Sequence, residues 1–213
     1  MKDMLEILKE AKIVAVLSVN DKSAAVDLAH ALLAGGVNSV EMTLRTPNAM
    51  ECIREVVSKV PQMRVGVGTV LTIDQIRQVK DSGALFAVSP GCNPAIIDAA
   101  RELEIPFAPG IMTPSEIEMA LEHGCRAMKF FPAESSGGLK HLESMAAPYK
   151  HLGIGFIPLG GLKIDNAAKY LSSSLVLAIG GSWLATPALI ESHDWDKITA
   201  NAKEAVGLIP SSK

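Results

Sequence analysis

Short apolar runs alternate with amphipathic stretches along the whole chain. The runs are IVAVLS (13–18), SVEMTL (39–44), RVGVGTV (64–70), ALFAVS (84–89), IPFAPG (105–110), AMKFF (127–131), FIPLG (156–160) and LVLAIG (175–180). Apolar, β-branched runs of this length read as strands. The segments between them, such as KSAAVDLAHALLAG and PSEIEMALEHG, place apolar residues at helical spacing. Eight strands, each followed by a helix, predict a parallel α/β architecture that closes as a single (β/α)8 TIM barrel. The opening MKDMLEILKEAK predicts an N-terminal amphipathic helix with Met4, Leu5 and Leu8 on one side. No composition shift or low-complexity linker divides the chain, so residues 1–213 read as one domain, with a fraying tail GLIPSSK. The competing arrangement is a doubly wound open sheet. It calls for a glycine-rich nucleotide turn after the first strand, and the residues there are SVNDKS.

A weak internal repeat favours the barrel. Gly36, Gly83 and Gly124 each stand where a helix ends and a left-handed residue is needed. Five positions after each comes a strand residue: Glu41, Val88 and Lys129. These lie on the second, fourth and sixth strands, and alternate strands of a barrel supply the same interior layer. Glu41 and Lys129 are therefore expected to meet inside the barrel.

Composition narrows the function classes. The chain is 48% apolar and 20% charged, with net charge −3. It has no basic stripe for nucleic acid or a membrane surface. No apolar run approaches the roughly 18 residues of a membrane span. Cys52, Cys92 and Cys125 are odd in number and far apart, which points to a reducing, cytoplasmic compartment. The five histidines form no HxxxH pair, so no metal site is expected.

Lys129 is the one charge in AMKFF. With period two, it shares a face with Ala127 and Phe131, while Met128 and Phe130 take the helix side. That aims Lys129 into the barrel near the carboxyl end of its strand. A neutral amine there can attack a ketone, and the resulting iminium is an electron sink for carbon–carbon cleavage. A lysine that merely snorkels out at the strand end fits the same pattern. In SVEMTLRT, Glu41, Thr43 and Arg45 alternate on one face. A partly buried carboxylate near an amine can shuttle protons, and an arginine fork can clamp a substrate carboxylate. A purely structural Glu–Arg pair is the competing reading. Gly160-Gly161 follows the seventh strand, and Gly180-Gly181-Ser182 the eighth. Barrels of this kind build phosphate sites from those two loops and a short extra helix, here SWLATPAL with Ser182 at its start.

The motifs ExTLRT (41–46), VGxGTVL (65–71), SPG (89–91), PGxxTxSE (109–116), KFFPAE (129–134), GG (160–161) and GGSW (180–183) occur in that order. In order and spacing they resemble the 2-keto-3-deoxy-6-phosphogluconate (KDPG) aldolases, a family that includes the 4-hydroxy-2-oxoglutarate (KHG) aldolases. The resemblance covers residues 10–206, nearly the whole chain. It implies a Schiff base on Lys129 and an acid/base role for Glu41, acting partly through water. Arg45 and Thr69 would hold the pyruvoyl carboxylate, with Pro90 and Phe131 as pocket walls. Gly160, Gly161, Gly181 and Ser182 would hold the phosphate. It further implies a homotrimer that uses no metal or cofactor and acts on a small phosphorylated 2-keto acid, yielding pyruvate and glyceraldehyde 3-phosphate.

One departure stands out. The family pattern after the seventh strand is Pro-Thr-Gly-Gly, and here it is Pro158-Leu159-Gly160-Gly161. Leu159 has no hydroxyl for the substrate's hydroxylated carbons, as in the galactonate-specific relatives, so C4 selection by shape alone is expected. Two other classes compete. One is a phosphate-binding epimerase or synthase on the same scaffold, which leaves Lys129 without a covalent role. The other is a binding or assembly protein that kept the barrel without the chemistry.

Overall fold

The computed structural model describes residues 3–210. Among them, nine strands alternate with helices in one direction along the chain. The strands are β1 Ile13–Leu17, β2 Ser39–Thr43, β3 Arg64–Gly68, β4 Phe86–Val88, β5 Phe107–Ala108, β6 Gly110–Ile111, β7 Ala127–Phe130, β8 Gly155–Pro158 and β9 Ile179–Gly181. The helices are α1 Met4–Ala11, α2 Lys22–Ala34, α3 Ala49–Lys59, α4 Ile73–Ser82, α5 Pro94–Glu102, α6 Pro114–Glu122, α7 Gly138–Ala146, α8 Ile164–Leu171, α9 Pro187–Glu191 and α10 Trp195–Val206. All pairings are parallel. A six-stranded curled sheet runs β5-β4-β3-β2-β1-β9, and a three-stranded sheet runs β6-β7-β8.

The eight expected strands become nine because Pro109 divides the fifth. Proline has no amide to donate. On its N-terminal side β5 pairs with β4, and on its C-terminal side β6 pairs with β7. The Pro109 carbonyl still accepts from the Lys129 amide at 2.8 Å. The expected eighth strand, 175–180, is likewise shared between neighbours. The Phe156 amide donates to the Leu175 carbonyl, and the Leu177 amide to the Phe156 carbonyl, whereas Ile179–Gly181 pairs with β1. The expected extra helix from Ser182 is broken in two: a 3-10 turn, Ser182–Leu184, and then α9. Pro187 forces this, because the residue before a proline is held out of the helical region, and Thr186 is extended (φ −69°, ψ 156°).

Side-chain alternation sorts the apolar residues into two layers. Val14, Phe86, Val88, Ala108, Ala127, Ile157 and Leu177 form an inner cluster, whereas Met128, Phe130 and Phe156 pack outward under the helices. Gly36, Gly83 and Gly124 have φ of +88°, +75° and +86°, the left-handed ends that put Glu41, Val88 and Lys129 on their strands. The first helix starts at a capping box between Asp3 and Glu6. Its buried face is Met4, Ile7, Leu8 and Ala11, and it joins the inner cluster, so α1 plugs the amino end of the curled sheet. Leu5 of the expected face is half-buried, and Ile7 takes its place in the plug. At the other end of the chain, Leu208 and Ile209 pack against the outer layer, which ties down the first part of the tail expected to fray. Residues 211–213 of that tail, like residues 1 and 2 of the expected first helix, lie outside the described residues.

Leu8 is fully buried in that plug, so its truncation removes apolar contacts and opens a cavity. Leu8→Ala should cost about 2–5 kcal/mol, read as a lowered midpoint in urea with an unchanged slope.

Candidate active site

β2 and β7 carry the two charges that matter. Lys129 Nζ donates to Glu41 Oε1 at 2.9 Å, although 88 residues separate them. The lysine side chain is 3% exposed and the glutamate 1%. A pair so withdrawn from water is tolerated only because each group satisfies the other, and removing one partner strands the second. Lys129 Nζ also sits 5.3 Å from the centre of the Phe131 ring.

β3 makes room for this pair. Its register sets Gly66 beside Glu41 and Gly68 beside Thr43. A Cβ on Gly68 would lie 2.1 Å from Glu41 Oε1 and 2.7 Å from its carboxyl carbon. A Cβ on Gly66 would lie 2.1–2.6 Å from three atoms of the Phe86 ring. The two glycines of RVGVG are thus the sockets for the carboxylate and for an aromatic ring of the inner cluster, a reason that strand alternation alone does not reveal.

A cavity of about 240 Å³ opens over Lys129, lined by Arg45, Phe131, Leu159, Gly160, Gly161, Gly181 and Ser182 among others. Eight of the eleven residues expected at the site therefore border one space. Glu41 lies behind Lys129. Thr69 reaches the site through Arg45, whose Nε donates to Thr69 Oγ1 at 3.2 Å. That leaves the rest of the guanidinium fork without a partner among the described residues. Thr69 adopts φ +61°, a left-handed conformation that is unusual for a β-branched residue and is typically held by its surroundings at functional sites. Pro90 does not border the cavity. It sits in the loop after β4, where its carbonyl would be 2.1 Å from a Cβ on Gly110.

Gly160 and Gly161 take φ of +94° and +82° in succession. The turn after β7 docks onto this loop: the Ala133 amide donates to the Leu159 carbonyl at 2.7 Å, and the Glu134 amide to the Gly160 carbonyl at 3.0 Å. Tyr170 in turn holds the Glu134 carboxylate with a short hydrogen bond. The amides of Gly160 and Gly161 donate to no group among the described residues, which suits a loop that meets an anion.

Ser18, which directly follows β1, also lines the cavity. The strand pattern gave it no prominence, because a serine closing an apolar run reads as the start of a loop. The pocket wall is therefore not without a hydroxyl, although Leu159 is aliphatic and 3% exposed. A larger cavity, about 410 Å³, lies at the opposite end beside α1, and none of the expected site residues borders it. The thiols are poor rival nucleophiles. Burial pushes Cys92 up to about 11 and Cys125 up to about 12, so both are protonated at neutral pH. Among the described residues, no group of three or more His, Cys, Asp or Glu side chains is placed to hold a metal ion.

Comparison with known proteins agrees with this arrangement. The profile of the family described as KDPG and KHG aldolase matches residues 4–201. The 2-dehydro-3-deoxy-phosphogluconate aldolase of Dickeya dadantii is 45% identical over 201 residues, 94% of this chain and 93% of the relative. The KDPG aldolase of Legionella pneumophila, solved with pyruvate captured as a covalent carbinolamine intermediate, superposes with a TM-score of 0.92 at 32% identity. That match covers 96% of this chain and 98% of the other. The Zymomonas mobilis enzyme, solved with 3-phosphoglycerate, gives 0.90 at 37% identity over 99% and 98%. The chain belongs to the KDPG and KHG aldolase family.

The socket at Gly68 yields a sharp expectation. Gly68→Ala should displace the Glu41 carboxylate from Lys129 and lower aldolase turnover at least tenfold, with the folded far-UV circular dichroism retained. Full activity in a steady-state pyruvate-release assay would mean that the carboxylate tolerates a different seat.

Proposed function

We propose that this protein is a class I aldolase that cleaves KDPG to pyruvate and glyceraldehyde 3-phosphate through a Schiff base on Lys129. It also accepts 4-hydroxy-2-oxoglutarate. The observation that carries this reading is the buried Lys129–Glu41 pair at 2.9 Å beneath an open cavity, in a family whose Legionella member holds pyruvate covalently.

The chemistry follows from those two groups. The Lys129 amine, freed of its proton by Glu41, attacks the C2 carbonyl. The carbinolamine loses water and leaves an iminium. Glu41, directly or through a water, takes the C4 hydroxyl proton; the C3–C4 bond breaks, and its electron pair enters the iminium to form an enamine. Glyceraldehyde 3-phosphate departs, C3 of the enamine regains a proton, and hydrolysis returns pyruvate and the free amine. The free guanidinium fork of Arg45, set by Thr69, takes the C1 carboxylate. Phe131 walls the pyruvoyl end, and Pro90 shapes it from the loop after β4. Gly160, Gly161, Gly181 and Ser182 hold the phosphate. The cycle needs no metal or cofactor, because the iminium is the electron sink.

The wider assignments belong to the same reading. The two sheets are parts of one closed (β/α)8 barrel in a single domain: Phe156 bridges to Val176 on one side, and Pro109 is the only residue between β5 and β6 on the other. The protein acts as a cytoplasmic homotrimer. The exposed Leu71 and Ile73 after β3 support association, and the three free cysteines support a reducing compartment. Among the described residues, no helix is long and apolar enough to cross a membrane. A second reading, preference for the galactonate epimer, rests on the aliphatic Leu159 in the cavity wall.

Lys129→Met should abolish turnover, and with it the adduct that borohydride traps from pyruvate in the parent enzyme. Retention of either in the variant, read by mass spectrometry and by a coupled assay, would remove the covalent role. Glu41→Gln keeps the size of the side chain but cannot take a proton. Its kcat should fall about 100- to 10,000-fold with little change in KM; a normal kcat with a raised KM would reassign Glu41 to binding.

A further inference from the structure

Ser18 brings to the cavity an oxygen whose hydrogen-bonding direction is fixed by its neighbours. Ser18 Oγ lies 2.8 Å from Thr43 Oγ1. Thr43 Oγ1, fully buried, also donates to the Leu17 carbonyl at 3.0 Å. A threonine hydroxyl carries one proton. With that proton on the Leu17 carbonyl, Thr43 can only accept from Ser18. The Ser18 proton is therefore committed to Thr43, and what Ser18 presents to the cavity is a lone pair. It is a pure acceptor, the opposite of the amides of Gly160 and Gly161.

A pure acceptor selects its partner. The carboxylate and phosphate of the substrate proposed above are themselves acceptors at neutral pH, so Ser18 offers them nothing. The hydroxyls on C4 and C5 are donors. The C4 hydroxyl gives its proton to the acid/base group as the C3–C4 bond breaks, so its hydrogen is already used. The C5 hydroxyl stays intact from substrate to product. We propose that Ser18 is a specificity-determining residue that accepts a hydrogen bond from the C5 hydroxyl of the phosphorylated substrate, in a cavity where Leu159 offers no polar atom. The proposal rests on the aldolase reading. Rigidity supports it, because the Ser18–Thr43–Leu17 chain ties the acceptor to two adjacent strands, β1 and β2. A fixed acceptor rejects a partner that lacks the hydroxyl, since its lone pair is then left dry and unpaired.

The test compares Ser18→Ala and Ser18→Val with the parent enzyme. Alanine removes the acceptor. Valine also fills the space, so that no water can replace it. Cleavage of KDPG should lose about tenfold in kcat/KM in both variants, the range of one hydrogen bond in a desolvated site. Deuterium exchange into the methyl group of pyruvate passes through the iminium and enamine with no C5 present, and should be unchanged. Condensation of pyruvate with 3-phosphopropanal, the aldehyde lacking the hydroxyl that becomes the one on C5, should be equal in parent and variants. KDPG cleavage within twofold of the parent in both variants would overturn the proposal. An equal loss in exchange and cleavage would also overturn it, by making Ser18 a structural prop of β1 and β2. Borohydride trapping of pyruvate by the parent enzyme reports on the Schiff base separately. If the parent traps none, the aldolase reading fails first, and the role of Ser18 falls with it.

Discussion

The contact between Lys129 and Glu41 sets the conditions that the rest of the structure must meet. Two charges taken almost wholly out of water are tolerable only at close range and in a fixed geometry. The separation is 2.9 Å, and several elements exist to keep it there. β2 reaches it from the six-stranded curled sheet and β7 from the three-stranded one. Gly68 vacates the space the carboxylate fills, and Gly66 vacates the space of the Phe86 ring in the inner cluster. α1 seals the opposite end with Met4, Ile7 and Leu8, so the pair meets solvent only through the cavity above it. A lysine held in this way is pre-positioned, with a carboxylate oxygen 2.9 Å from its amine.

The cavity is divided by chemistry. One part offers donors: the unused guanidinium fork of Arg45 and the amides of Gly160 and Gly161. Ser18 offers only an acceptor, and Leu159 and Phe131 offer apolar surface. A substrate with two anionic ends and hydroxylated carbons between them matches that division better than an all-anionic or all-apolar molecule. This separates the aldolase reading from the two rivals that the sequence left open. An epimerase or synthase gives a buried lysine no covalent task, and a pure binding protein has no need of an ion pair hidden under the pocket floor. Membership of the KDPG and KHG aldolase family points the same way.

Backbone strain and proline mark three places where the chain departs from a regular pattern. Thr69 is held at positive φ where it meets Arg45. Pro109 divides a strand while its carbonyl still pairs with the Lys129 amide. Pro187 breaks the segment after Ser182 into a 3-10 turn and a short helix. Each of the three lies in a segment that leads into or borders the site, whereas the capped helices α2 and α6 match the stretches expected of them.

Much of this was legible in the chain itself. Alternation put Lys129, Glu41 and Thr43 on inward faces, because a strand has only two faces and the apolar neighbours claimed the outer one. The three helix-ending glycines gave the spacing that set Glu41 and Lys129 in one layer, because left-handed backbone favours glycine. What sequence could not supply was distance. Curvature of the sheet decides whether residues 88 positions apart stop at van der Waals range or close to an ion pair. Only the packed structure shows why Gly68 is a glycine, since its missing Cβ is occupied by a side chain from another strand. The same holds for Ser18. A serine at a strand end has no fixed hydrogen-bonding direction until Thr43 and the Leu17 carbonyl are placed beside it, and those neighbours, not the residue type, make it an acceptor.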